Sequence, residues 1–150
     1  MGEDFIFLLE YIFNVDVVCL STKNNYNYIK IQDSLSQKFY SFESEYFTYI
    51  QLKDNLIKIL TKYGIKNNSV DPYIWKIIGH TFIRTIRTGF RVRPKISISK
   101  QIEKLETISA CDILIMKNEY KPQTLTTKVL NFLFINKFYY LYSFIGSVFD

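Results

Sequence analysis

The chain has little of what catalytic and metal chemistry uses. Of its 150 residues, two are cysteine and one is histidine. Cys19 and Cys111 stand in no metal-ligand spacing and are too few for a disulfide framework, which points to a reducing compartment. His80 lies between Gly79 and Thr81 with no carboxylate or nucleophile at motif spacing, so it reads as a structural residue and not as a general base. Glu103 and Glu106, three apart on a predicted helix, read as a solvated face. The five glycines form no phosphate-cradling loop, and neither a Walker pattern nor a zinc spacing is present. The expectation is a non-enzyme with no catalytic residues, metal ligands or cofactor, and no small-molecule substrate. The opening Met-Gly-Glu-Asp lacks the basic start of a signal peptide, no small-residue cleavage site follows, and no encoded targeting peptide is evident, so the chain is expected to work where it is made.

What is abundant is apolar and aromatic. Hydrophobic residues make up 48% and aromatic residues 17% of the chain, ample for a core in one domain or two small lobes. Ile, Lys, Asn, Tyr and Phe outnumber Ala, Gly, Pro and Arg, the bias that AT-rich codons impose in many organellar and viral genomes.

The net charge of +5 is unevenly spread. Residues 1–50 are net negative, residues 105–150 balance, and residues 51–104 carry twelve Lys or Arg against Asp54, Asp71 and Glu103. At the centre lies Phe82–Lys95, where Arg84, Arg87, Arg91, Arg93 and Lys95 are interleaved with apolar residues around Gly89. The alternation predicts extended chain, with Ile83, Phe90 and Val92 inward and a row of guanidinium groups outward. Such a row suits phosphate oxygens, and a concentrated basic middle suits a polyanion or an anionic membrane surface. A solvated edge strand kept basic against aggregation would carry the same pattern.

Along the chain, Asp4–Asn14 reads as a short helix and Val15–Leu20 as a β-branched run. Tyr28–Ile31 and Lys38–Phe42 read as a possible hairpin, and Glu45–Ile50 as a strand. The clearest element is a helix over Leu52–Tyr63, with Leu52, Leu56, Ile59 and Leu60 on one stripe and Gly64 as its stop. Tyr73–Ile78, Gly79–Ile86 and Phe90–Arg93 read as strands, turned at Thr88-Gly89. Ser97–Leu105 reads as a polar helix and Thr107–Met116 as a last strand. Beyond Pro122 the composition turns aromatic and aliphatic over Val129–Phe149. The expected fold is α/β (α+β): an N-terminal helix/strand lobe over 1–78 with an insertion near 20–45, a mainly antiparallel β lobe with a short helix over 79–121, and a C-terminal extension over 122–150.

Three blocks in order resemble ribosomal protein S-eight of the small subunit. Leu52–Ile65 is similar to that family's second helix, and Arg84–Val92 to the segment opening its RNA-binding lobe. Ile108-Ser109-Ala110-Cys111 stands near the spacing of the family's Ile-Ser-Thr-Ser-Lys-Gly signature. Thr88 replaces the family's turn proline, and Asp112-Ile113 its Lys-Gly. The resemblance spans roughly residues 50–118 and implies a structural constituent of the small subunit that binds its rRNA and supports assembly. Arg91, Arg93 and Lys95 would contact the RNA backbone, Arg84 and Arg87 would be secondary phosphate contacts, and Ser109 and Cys111 would approach the minor groove. Neighbouring ribosomal proteins would meet the C-terminal extension, and the location would be the mitochondrial matrix, ribosome-bound.

Two other readings stand beside it. Val129–Phe149 is long enough to cross a bilayer, as in a small membrane-embedded subunit of an organellar complex, although Asn131, Asn136 and Lys137 would be costly there. Alternatively, the chain is a compact viral interaction domain of helices, cytoplasmic, similar in size and composition to poxviral apoptosis-regulator-like proteins. That reading requires mostly helix, against which the β-branched and alternating stretches argue.

Overall fold

The computed structural model describes residues 7–8, 10–12, 14–17, 19, 40–66 and 72–149, the side chains of Tyr73 and Phe149 excepted. Among these residues the fold is all-α, with no strand. Residues 7, 8 and 10–12 are helical. Seven helices then follow in order: α1 Phe42–Lys62, α2 Pro72–Ile86, the short α3 Thr88–Arg91, α4 Ile98–Glu106, α5 Ala110–Glu119, α6 Leu125–Ile135 and α7 Tyr139–Phe149.

The expected α/β architecture is therefore overturned. Glu45–Ile50 lies inside α1, Tyr73–Ile78 and Gly79–Ile86 are one continuous helix, Phe90–Arg93 begins in α3, and most of Thr107–Met116 is α5. Of Val15–Leu20, the described Val15, Asp16, Val17 and Cys19 have no strand pairing. The hairpin over 28–42 lies outside the described residues up to residue 39, Tyr40 and Ser41 are in no strand, and Phe42 opens α1. Four expectations match: the helix over Leu52–Tyr63, of which Tyr63 is the C-cap, the stop at Gly64, which takes φ 64°, the helix after Ser97, and, in its described residues 7, 8 and 10–12, the helix over Asp4–Asn14.

Buried positions explain why helix wins. In α1, Phe42, Glu45, Tyr49, Leu52, Leu56 and Ile59 alternate in steps of three and four, which places them on one stripe. In α2, Trp75, Ile78, Phe82 and Ile86 do the same. The alternation around Arg84 and Arg87 coexists with a three-residue step, and burial of the four-residue Phe82–Ile86 spacing decides between them. Side chains seal the helix starts: Ser41, Ser97, Ser109 and Thr124 each accept a hydrogen bond from the backbone N–H three residues on. Thr124 and Thr127 form a reciprocal capping box.

α1 packs along α2, α4 and α6 pack on α7, and α3 touches α1, α2 and α7. A chain of aromatic rings runs through the centre: Tyr49 on Phe82 at 4.9 Å, Phe82 on Phe134 at 5.5 Å, and Phe134 on Tyr142 at 6.0 Å. Tyr142 also donates its hydroxyl to the carbonyl of Ile86 at 3.1 Å. The residues expected to form an extension, 122–150, thus supply fully buried side chains to the same core as residues 42–90. Gly89 is buried within α3 and is not a left-handed turn: the Gln101 side-chain amide occupies the place where a Cβ would stand.

Candidate functional site

Helix formation scatters the basic row. Arg84, on α2, is drawn inward, and its Nε lies 2.7 Å from Glu45 Oε1 on α1 in a largely buried ion pair. Arg87 is the N-cap of α3 and Arg91 its last residue, and both are half-buried. Arg93, exposed, donates from Nη1 to the carbonyl of Phe90 at 3.2 Å, and Lys95 is exposed. Ser109 and Cys111 are at the start of α5. Ser109 is the N-cap, and Cys111 is a free, exposed thiol in the first helical turn. The five basic residues expected in one outward row therefore do not form it, because Arg84 is turned inward to Glu45.

Asp112, which the sequence marks only as a departure from the family signature, is the hub of a buried polar network. Its carboxylate accepts from Lys53 Nζ at 2.5 Å, Ser109 Oγ at 2.7 Å, Tyr46 Oη at 2.8 Å and Tyr49 Oη at 3.3 Å. Burial works to raise the Asp112 carboxyl's pKa, but hydrogen bonds from Lys53, Ser109 and Tyr46 outweigh it and hold the group below the usual carboxylate range. Burial and the neighbouring Asp112 charge push the Tyr49 phenol up, and burial raises Tyr46. All four partners serve as donors to Asp112, so the network consumes the carboxylate's acceptor capacity. It clasps α5 to α1 and leaves no free base.

The same stretch of α1 turns a second face outward. Phe42, Tyr46, Phe47 and Ile50, with Lys100, Glu103, Lys104 and Thr107 of α4 and its C-cap, line an open groove of about 520 Å³. Its floor is apolar, and Phe47 is 62% exposed at its mouth. Lys104 ties the walls together: its ammonium pairs with Glu43 and lies 5.6 Å from the centre of the Phe42 ring. That ion pair holds the Glu43 carboxyl below its ordinary value. The residues 42, 46, 47 and 50 recur at helical spacing, a signal hidden by reading 45–50 as a strand.

A smaller hollow of about 330 Å³ lies between the N-terminal helical residues and α1, lined by Glu10, Asn14, Asn55, Lys58, Ile59, Lys62 and Tyr63. Tyr63 donates its hydroxyl to Asn14 Oδ1 there, at 3.3 Å. His80 is exposed on α2, edge-on to the Tyr120 ring at 6.3 Å. Among the described residues, no group of three His, Cys, Asp or Glu side chains is placed to hold a metal ion, and no helix is long and apolar enough to cross a membrane. No protein family, curated protein or solved structure matches this chain.

Proposed function

We propose that this protein is a helical interaction module that binds one amphipathic helix of a partner protein in the groove between α1 and α4. The observation carrying this reading is the groove itself: an apolar floor of Phe42, Tyr46, Phe47 and Ile50, open to solvent beneath a charged rim. Recognition of a helix in a groove needs such a floor for anchors at i, i+3/i+4 and i+7, and rim charges to set register. Lys104 and Glu43 pair with each other across the groove, so the rim charges left to a partner are Lys100 and Glu103 of α4, which favour a helix carrying an acid and a base along the flank that meets that wall.

Of the readings the sequence raised, the helical interaction domain is the one that needs an all-α fold. The ribosomal reading drew on a β lobe with an outward arginine row, and neither support remains. The polar residues that attract attention are committed to holding helices together, Asp112 to Lys53 and Glu45 to Arg84, which favours a binding role over catalysis.

A random-sequence peptide-display library, selected on the full chain, tests the proposal. Enriched peptides are expected to share a helical anchor pattern. Their affinity, read by fluorescence anisotropy, is expected to fall at least tenfold in Phe47→Glu and Ile50→Glu with the helical circular dichroism spectrum retained. Selected peptides that bind both variants as tightly as the parent would overturn the assignment of the groove.

A further inference from the structure

The C-terminal helical hairpin is apolar on two sides. One side of α6 and α7 faces the core through Leu130, Phe134, Tyr139 and Tyr142. At 100° per residue, Leu125, Val129 and Phe132 of α6 fall opposite that side, as do Leu141, Phe144 and Val148 of α7, and all six are exposed. Phe132, Phe138, Tyr140 and Phe144 are 60, 50, 65 and 55% exposed. At roughly 200 Å² per aromatic side chain, these four together leave about 450 Å² of ring surface in water, a sum within the roughly 300–600 Å² of the largest apolar patch on a typical monomer, which is often functional. A helix apolar all round is ordinarily covered on both sides.

Charge identifies the cover. From Tyr120 to Asp150 the chain holds Lys121, Lys128 and Lys137 against one acid, Asp150, and α6 and α7 themselves carry no Asp or Glu. Lys128 sits one turn from both Leu125 and Phe132 on the outward side of α6, and Lys137 lies in the connection to α7 with φ 60°. Glu106 approaches the hairpin at Tyr139, on its core-facing side. Two copies of this face brought together would oppose lysine to lysine with no acid on the hairpin to offset them. A surface of anionic lipid offers the complement: acyl chains for the rings, and phosphate or carboxylate headgroups for the ammonium groups at the rim. Each helix, 11 residues long, reaches about 16 Å, half of the roughly 30 Å hydrocarbon core, so the hairpin would lie in the interface and not span it.

We infer that the outward face of the α6–α7 hairpin, with Lys128 and Lys137 at its rim, docks the protein onto anionic membrane surfaces. This is independent of the α1–α4 groove, which lies on other elements.

The test uses the full chain with vesicles of phosphatidylcholine alone and of phosphatidylcholine with about 30% phosphatidylserine. The partition coefficient at about 0.1 M salt is expected to be at least tenfold higher on the anionic vesicles and to fall toward the neutral value at about 0.5 M. Lys128→Gln with Lys137→Gln is expected to lower anionic partition about 25-fold, roughly fivefold for each lysine. Phe144→Trp adds a reporter on the face while Trp75 stays buried in the core, so a blue shift on vesicle addition reports insertion. Flotation of the unaltered chain repeats the measurement should that variant fold poorly. Equal partition on both lipids, or no partition on either, would overturn the inference. So would a lipid-free dimer that Phe144→Glu converts to monomer, because the cover would then be a second copy.

Discussion

Replacing Asp112 by Asn should be one of the more damaging conservative changes available to this protein. The side chain is 1% exposed and holds four donors, three from α1 and one from the α5 N-cap. Hydroxyl groups at Tyr46, Tyr49 and Ser109 can rotate to accept from an amide, but the Lys53 ammonium can only donate. Its side chain is 11% exposed, and its other carboxylate neighbour, Asp54, lies 3.8 Å away and is half in solvent, where an ion pair contributes little. Asp112→Asn therefore leaves a nearly buried cation without its counter-charge, a defect that costs on the order of 3 kcal/mol. For a chain of this size that corresponds to a fall in Tm of about 6–12 °C.

Removing the cation as well separates the two contributions. Lys53→Met together with Asp112→Asn should cost less than the sum of the single changes by about 1–3 kcal/mol. The assay is urea denaturation followed by helical circular dichroism, with the denaturant slope m checked for constancy across the cycle. A single mutant within about 2 °C of the parent, or a cycle that adds without coupling, would show that Lys53 and Asp112 do not depend on each other.

Three further outcomes follow from the same packing. Because the folded-state pKa of Asp112 is depressed, its contribution is complete above the unfolded carboxylate value of about 4 and is lost as pH falls through the folded value. The urea midpoint should therefore drop in that acid range, and less steeply in Asp112→Asn. Gly146→Ala should lower stability by about 1 kcal/mol despite alanine's better helix propensity, because the new Cβ falls on the Phe90 ring; an unchanged or raised midpoint would refute that close approach. Ser143 is fully buried, and its Oγ has no hydrogen-bond partner among the described residues, so Ser143→Ala should raise Tm by about 2–4 °C; a lower Tm would show that the hydroxyl is satisfied.

The C-terminal half of α1 was legible because its stripe is purely aliphatic and its stop is a glycine. The N-terminal half was not, because a charged residue occupies a core position. Glu45 falls on the buried stripe between Phe42 and Tyr49, and its partner, Arg84, is thirty-nine residues away on another helix. A local reading meets an acid where a helix should bury an apolar group and breaks the period there; what remains, Tyr46 to Ile50, is aromatic and β-branched and looks like a strand. Arg84 is misread for the reciprocal reason: with Glu45 unseen, it becomes one tooth of an outward row. One buried ion pair thus accounts for a false strand in α1 and for a misplaced arginine in α2.

The same dependence on distant partners governs the polar groups and the tail. Ser109 and Cys111 drew notice as small groups near a family signature, yet the residue that matters is Asp112, whose importance comes from Lys53 and two tyrosines on α1. Ser109-Ala110-Cys111-Asp112 does carry a local signal, serine with an acid three residues on, which marks a helix start; it was available and points to α5. In the tail, no local pattern separates the two helices from one span, since Phe and Tyr fall on both faces. The division comes at Asn136-Lys137, where Asn136 closes α6 and Lys137 takes the left-handed conformation that asparagine or glycine more often supplies. That break turns the chain back, so that Phe134 and Tyr142 meet in the core while Phe132 and Phe144 are left outside. The hairpin's core role and its exposed face are consequences of one two-residue turn, and the sequence alone does not say which aromatic residues belong to each.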